Sequence, residues 1–182
     1  MIRPATLEDA AEIVRLVNSA YRGESSRAGW TTEADLLGGQ RVDEQAIAAT
    51  LVSPKSVILL QVRHGSIVGC VHLESTGDAG YLGMLTVAPT EQGRGLGRRL
   101  LEAAEAWATT HWAAAAMQMT VIAQRIELLA WYERRGYRKT GERRPFPYGD
   151  DRFGVPRRDD LVFDVLRKEL LSPRTASQPA AC

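Results

Sequence analysis

The sequence is poor in the features that would assign it to several protein classes. Its 182 residues include two cysteines, and the net charge is only +1. Cys70 stands in an apolar run and Cys182 is the last residue, so neither fits a disulfide framework or a metal site, and we expect no metal. A charge this close to zero gives no general attraction to nucleic acid or to a membrane surface. We therefore expect neither as a partner.

Long hydrophobic runs are also missing from the sequence. No apolar stretch approaches the roughly 20 residues that are needed to cross a bilayer. The first residues, MIRPATLEDAAE, carry acids where a signal peptide would have its hydrophobic segment. We therefore expect a cytoplasmic protein.

The composition is that of an ordinary globular domain, with 45% hydrophobic and 25% charged residues. Helical and strand-like patterns alternate, which predicts an α/β fold in a single domain over residues 1–171, followed by a disordered tail over residues 172–182. The first expected elements are a helix from Thr6 to about Tyr21, a mostly irregular segment over 22–41 with a short helix from Thr32, and a helix over 43–52. A hairpin of SVILLQV and SIVGCVHLE, a strand YLGMLTVAP and a long helix after residue 95 are expected to follow. The last expected elements are a strand AAMQMTVI, a short helix over 126–135, and the final strands YRKTGE and LVFDVL.

The stretch EQGRGLGRR, residues 91–99, is both flexible and basic, and it lies between a predicted strand and a predicted helix. The first turn of a helix has about four N–H groups without partners and attracts phosphate, and glycines let a bulky anion reach them. The stretch lacks the Walker ending Gly-Lys-Ser/Thr and the third glycine of a dinucleotide fingerprint, which disfavours ATP and NAD. We therefore expect the stretch to bind a different phosphate-bearing ligand. The alternative is that the glycines only allow the chain to make a tight turn between the strand and the helix.

Two linked segments resemble one family. LTVAPTEQGRGLGRRLL resembles the acetyl-coenzyme A motif of the GNAT superfamily of N-acetyltransferases, and LLAWYERRGYRKTGE resembles the segment that follows it in that superfamily. The resemblance implies a mixed, twisted, mostly antiparallel sheet that is split at its centre and flanked by helices, with acetyl-CoA in the cleft. The residues that it implies for cofactor binding are Leu85, Thr86, Val87, Gln92, Gly93, Arg94, Gly95, Leu96, Gly97 and Arg98.

Catalytic roles follow from the same resemblance. Tyr132 matches the position of the usual general acid, and a tyrosine is a competent proton donor to a leaving thiolate. Tyr81 stands where some members carry a catalytic glutamate, so Glu74 and His72 are the candidate bases, and a base acting through water stays open. Where many relatives carry Asn and Ala, this chain has Arg125 and Leu128, and Trp131 and Tyr137 are expected to be core aromatics.

Two long segments, residues 22–41 and 143–158, carry aromatic residues among charges of both signs. Long loops in compact domains are often functional, so we expect Trp30 and Phe146 to bind the acceptor. The predicted activity is the transfer of an acetyl group to a primary amine, of a small molecule in preference to a protein, by direct attack in a ternary complex. A non-catalytic acyl-CoA-binding sensor is the alternative, and a homodimer stays open.

Overall fold

Helices and strands alternate along the chain, and the computed structural model describes residues 1–150 and 154–170. The helices are α1 (Ala10–Tyr21), α2 (Gly23–Arg27), α3 (Glu44–Val52), α4 (Leu96–Trp112) and α5 (Ile126–Glu133). The strands are β1 (Ile2–Pro4), β2 (Leu37–Gly38), β3 (Ser56–Arg63), β4 (Ser66–Ser75), β5 (Ala79–Val87), β6 (Ala116–Ile122), β7 (Arg138–Pro145), β8 (Val155–Pro156) and β9 (Val162–Glu169). Within the described residues, no helix combines the length and the apolar character that a membrane crossing requires.

Seven strands form one sheet in the order β1-β3-β4-β5-β6-β9-β7, and β2 pairs with β8 in a separate ribbon. Neighbours in the large sheet are antiparallel except for β5 and β6, which are parallel. The exception follows from α4, because two adjacent strands that are joined by a crossover helix run in the same direction.

Helices cover both faces of the sheet because alternate residues of a strand point to opposite sides. In β3, Leu59 packs into the cluster around α4, whereas Ile58 and Leu60 pack against α1 and α3. The buried face of α4 has the periodicity that the sequence predicted, and its members are Leu96, Leu100, Leu101, Ala104 and Ala108.

The sheet opens between β5 and β6. Their pairing covers only Ala79–Tyr81, opposite residues 116–118. Beyond that point β5 contains a bulge, because Met84 and Leu85 together face the single residue Val71 of β4, and Met84 has a φ of +53°. A bulge bends its strand and increases the twist, so the carboxyl half of β5 turns away from β6. The glycine stretch follows β5 in the chain, directly after this opening in the sheet.

The predicted fold class is confirmed, with a mixed, mostly antiparallel sheet flanked by helices. The predicted helix from Thr32 is wrong, since the short helix of this segment is α2, nearer to α1. At Thr32 the side-chain hydroxyl accepts from the Ala34 N–H at 3.0 Å in a local turn, which competes with helix formation. The tail predicted over 172–182 lies outside the described residues.

Candidate active site

The glycine stretch forms a turn that only glycine adopts easily. Gly93 has a φ of +78° and Gly95 a φ of +77°, in the left-handed region that L side chains rarely occupy. Gly95 is the N-cap of α4, so the unpaired N–H groups of the first helical turn follow it. Gly97 has ordinary backbone geometry, and a Cβ there would come within 3.6 Å of Trp131. The first two glycines therefore shape the turn, and the third keeps its surface open.

A groove of about 500 Å³ runs along this turn. One wall is the end of β5 with the turn and the start of α4, and the other is α5 with the two residues that follow it. The sequence-predicted residues on its wall are Leu85, Val87, Gln92, Gly93, Gly95, Leu96, Gly97 and Arg98. Thr86 and Arg94 are not part of it: Thr86 is buried and its hydroxyl donates to the Met84 carbonyl, while Arg94 extends over the surface toward Glu91.

Three arginines give the groove its charge. Arg98 of α4 is joined there by Arg134 and Arg135, which directly follow α5. Arg135 lies 3.6 Å above the centre of the Trp131 ring and donates a 2.7 Å hydrogen bond to the Trp131 carbonyl. Burial, and then the positive charges of Arg134 and Arg98, lower the pKa of Arg135. Mutual repulsion of this kind is relieved by an anion, so the groove is suited to phosphate.

The Trp131 side chain is half-buried: it packs against the core, as predicted, but it also forms part of the groove wall. Tyr137, by contrast, is fully buried as predicted, and its hydroxyl donates to Glu105 at 3.0 Å. The sequence did not distinguish the two residues, and only the folded structure shows that Trp131 lies at the edge of the core.

Gln92 joins the groove to a distant segment. Its amide nitrogen donates to the Val87 carbonyl at 3.1 Å, and its oxygen accepts from the Trp30 N–H at 2.5 Å. Trp30 and Thr31 therefore lie on the groove wall, and the Trp30 side chain is 47% exposed. The sequence predicted Trp30 at the acceptor, and the structure places it on the wall of the groove, among the residues predicted to bind the cofactor, and not on the smaller pocket described next.

A second, smaller pocket of about 80 Å³ lies where β5 and β6 diverge. It shares Leu85 and Leu128 with the groove, so the two cavities meet at the bulge of β5. Tyr132 lines this pocket and is held edge-on between Trp131 and Tyr137, at ring distances of 5.0 and 5.7 Å. Burial raises the pKa of Tyr132, which keeps the phenol protonated at neutral pH.

The profile of the acetyltransferase (GNAT) domain matches residues 28–146, more than half of the chain. The chain belongs to the GNAT acetyltransferase family. A curated relative, the IAA acetyltransferase of Azospirillum brasilense, is 34% identical over 105 residues, which span 56% of this chain and 66% of that protein, slightly less than two thirds.

Solved structures share the fold of this GNAT protein. The ribosomal-protein-S18-alanine N-acetyltransferase of Escherichia coli has a TM-score of 0.69 at 15% identity and covers 98% of this chain and 99% of its own. The structure of yncA from Salmonella typhimurium, which contains its cofactor acetyl-CoA, has a TM-score of 0.68 at 21% identity, with coverage of 100% and 98%. Both likenesses concern the fold, since their identities are low.

Buried charges tie the 22–41 segment of the GNAT protein to its α5 helix. The Arg125 guanidinium donates to Glu33 at 2.7 Å and to the Thr31 hydroxyl at 2.9 Å, and Arg22 binds the other oxygen of Glu33. Burial alone would raise the pKa of Glu33, but Arg125 and Arg22 lower it. Glu33 is thus a fixed anion with both oxygens engaged. The unusual arginine at position 125 therefore holds this segment over the pocket.

The two candidate bases differ in their surroundings. Neither lines the groove or the smaller pocket, and Glu74 is exposed near the end of β4. His72 is half-buried opposite Gly83, which lines the smaller pocket, and its Nε2 is a buried atom without a hydrogen-bond partner in the described part of the chain. Burial lowers the pKa of His72, so the ring is neutral at pH 7 and able to accept a proton.

Phe146 of this GNAT protein lines neither of the two cavities. Its side chain is 4% exposed and is packed in a separate apolar cluster with Leu37, Ile122 and Leu161, stacked 5.7 Å from Phe163. The aromatic character of the 143–158 segment suggested a binding residue, but this ring stabilises the base of the segment. The prediction for Phe146 is corrected on that ground.

Proposed function

We propose that this protein is an acetyl-CoA-dependent N-acetyltransferase that acetylates the primary amine of a small molecule by direct attack in a ternary complex. One observation carries the proposal: a groove lined by three arginines meets, at Leu85 and Leu128, a small pocket that contains a buried tyrosine. This arrangement suits a long phosphate-bearing donor whose reactive end must reach the acceptor in a water-poor space. Membership of the GNAT family supports the same reading.

The residues of the groove fit coenzyme A at its charged end. The pyrophosphate would lie against the first turn of α4, where Gly93 and Gly95 leave the backbone accessible and Arg98 adds charge. The remaining donor would follow β5 toward the bulge. A bulge leaves a backbone N–H outside the ladder, and such a group near Leu85 would stabilise the negative charge that develops on the acetyl oxygen.

The transfer needs two proton transfers in addition to the formation of one bond and the cleavage of another. The amine nitrogen forms a C–N bond with the acetyl carbon as the C–S bond to coenzyme A breaks. The amine loses one proton, which we assign to His72 or a water beside it, with Glu74 as the exposed alternative. The departing sulfur gains one proton, which we assign to the Tyr132 hydroxyl. His72 then releases its proton to solvent and Tyr132 takes one up from solvent, so the protein returns to its starting state.

The size of the smaller pocket favours a small acceptor. A volume of about 80 Å³ admits an amine with a short attached group, and the Arg125–Glu33 pair closes part of its boundary. We therefore propose a small-molecule amine ahead of a protein amino group. The sensor alternative has no need of a proton donor beside the sulfur, and so it leaves Tyr132 unexplained.

Turnover with an amine panel tests the proposed function. Acetyl-CoA should raise the Tm by mass action while ATP does not, and a subset of primary amines should release free coenzyme A from acetyl-CoA. Stabilisation by acetyl-CoA without release by any amine would support the sensor instead. Stabilisation by ATP alone would contradict both readings.

Trp30→Ala is expected to raise the KM for acetyl-CoA about five-fold and to leave the KM for the amine nearly unchanged. The half-exposed ring lies on the groove wall, and losing part of such an apolar contact costs about 1 kcal/mol. Steady-state kinetics with each substrate varied in turn measure the effect. Trp30→Phe, which keeps an aromatic ring, is the matched control and should stay close to wild type. A selective loss of amine affinity would instead return Trp30 to the acceptor site.

A further inference from the structure

The charges around the smaller pocket are unbalanced. Among the described residues, the charged side chains that line it are Arg41, Arg125 and Glu33. Glu33 is already shared between Arg125 and Arg22, so its one negative charge does not neutralise this surface. Buried or half-buried positive charge is costly unless an anion accompanies it. The pocket is therefore built to receive a negative group.

Arg41 is the lining arginine that is available to bind a negatively charged group. Its guanidinium carbon lies 5.6 Å from the centre of the Tyr21 ring, and within the described part of the chain it has no hydrogen bond or salt bridge to a carboxylate. The guanidinium carbon of Arg125 lies 5.8 Å from the centre of the same ring. Two arginines thus stand around one aromatic ring at the pocket wall, and only Arg125 is engaged.

The backbone of Arg41 is held in place independently of its side chain. The Asn18 side chain of α1 accepts from the Arg41 N–H at 2.7 Å and donates to the Val42 carbonyl at 2.9 Å. The Tyr21 hydroxyl, on the next turn of α1, donates to the Leu85 carbonyl at 3.1 Å, at the junction with the groove. The same helix therefore positions Arg41 and contacts the place where the acetyl group would arrive.

We infer that the acceptor is an amine that also carries a carboxylate, bound by Arg41 with Arg125 nearby, as in a free amino acid. The inference rests on the proposed function and names the substrate class of its acceptor pocket. Peptide N-termini fit it less well, because their neighbouring carboxyl group is an uncharged amide. The positive surroundings also disfavour a protonated ammonium, which lowers the pKa of the bound amine and helps it to attack without a strong base.

Free L-amino acids and their primary amides are the matched probes, since each pair differs only in the carboxylate. Wild type should use the acid with a kcat/KM at least ten-fold above that of the amide. Arg41→Gln should raise the KM for the acid about 10- to 100-fold, the range for a lost hydrogen bond to a charged group, and change the KM for the amide less than two-fold. Arg144→Gln, an exposed arginine that pairs with Glu142, is the control and should keep the preference.

The possible results separate this inference from the proposed function. Equal use of acids and amides by wild type, or an unchanged preference in Arg41→Gln, would overturn the carboxylate site while leaving an acetyltransferase. Should no amine release coenzyme A, the proposed function fails, and calorimetry with N-acetyl amino acids and their amides in the presence of coenzyme A then decides the site. Binding of the acids by wild type that Arg41→Gln loses would support it, and equal or no binding would refute it.

Discussion

Gly95→Asp is expected to abolish acetyl-CoA binding, whereas Gly95→Asn should only weaken it. Gly95 has a φ of +77° at the N-cap of α4, and Asn and Asp are the two residues with side chains that best tolerate this region. They are nearly equal in size and cap helices about equally well, so the pair differs mainly in charge. An aspartate would place a negative charge where the turn receives the pyrophosphate. A like-charge contact at 4 Å near a protein surface costs about 4 kcal/mol, or roughly 1000-fold in affinity before screening by salt.

Two measurements separate an effect of these variants on ligand binding from an effect on folding. Calorimetric titration with acetyl-CoA measures the first, and thermal unfolding without ligand measures the second. Both should have similar Tm values in the absence of ligand, because each accepts the turn and supplies a cap. Only the asparagine variant should be stabilised by acetyl-CoA. If the aspartate variant binds acetyl-CoA as tightly as the asparagine variant, the anion does not lie at this turn.

The sequence could predict those features that depend on residues close together in the chain. The turn at Gly93 and Gly95 and the buried face of α4 depend on neighbouring residues, whose spacing is visible in the chain. The crossover from β5 to β6 through α4 follows from the order of the elements. Tyr132 came from family resemblance, and the structure places it on the wall of the smaller pocket.

Contacts between distant segments were beyond such reasoning. The Gln92–Trp30 bond joins residues 62 apart, and the Arg125–Glu33 pair joins residues 92 apart. The sequence therefore showed an aromatic residue in a long segment but not which cavity it would line, and Trp30 lies on the groove instead of the smaller pocket. The prediction for Phe146 was wrong for a related reason. An aromatic ring in a predicted loop can equally be buried beneath that loop.

The bulge at Met84 also had no signal in the sequence, since a methionine rarely has a positive φ. It nevertheless explains the site, because it diverts β5 from β6 and brings Leu85 to the boundary between the two cavities. Donor and acceptor would thus approach one another from opposite sides of a single backbone irregularity. Arg41 and Tyr21 line the smaller pocket on one side of that boundary, and both are distant in sequence from β5, so their place in the pocket emerged only with the fold.

Tyr132→Phe is expected to lower kcat by about 10²- to 10⁴-fold, the usual contribution of general acid catalysis, and to leave acetyl-CoA affinity unchanged. Within the described residues the Tyr132 hydroxyl has no hydrogen bond, so its removal should hardly affect stability. Tyr137→Phe is the matched control. The Tyr137 hydroxyl donates to Glu105 in the core, so that variant should lose about 1–3 kcal/mol of stability and retain kcat.

The chemistry of the Tyr132 effect can be separated from simple positioning by changing the leaving group. An acetyl donor whose thiol is more acidic than that of coenzyme A needs less protonation as it departs, so the loss caused by Tyr132→Phe should shrink with that donor. Because burial raises the pKa of Tyr132, the wild-type rate should also not fall from loss of this proton up to at least about pH 9. Single-turnover rates with both donors, measured in wild type and both variants, test these statements. Retention of more than about half of the wild-type rate by Tyr132→Phe, where chemistry limits turnover, would show that another group protonates the sulfur.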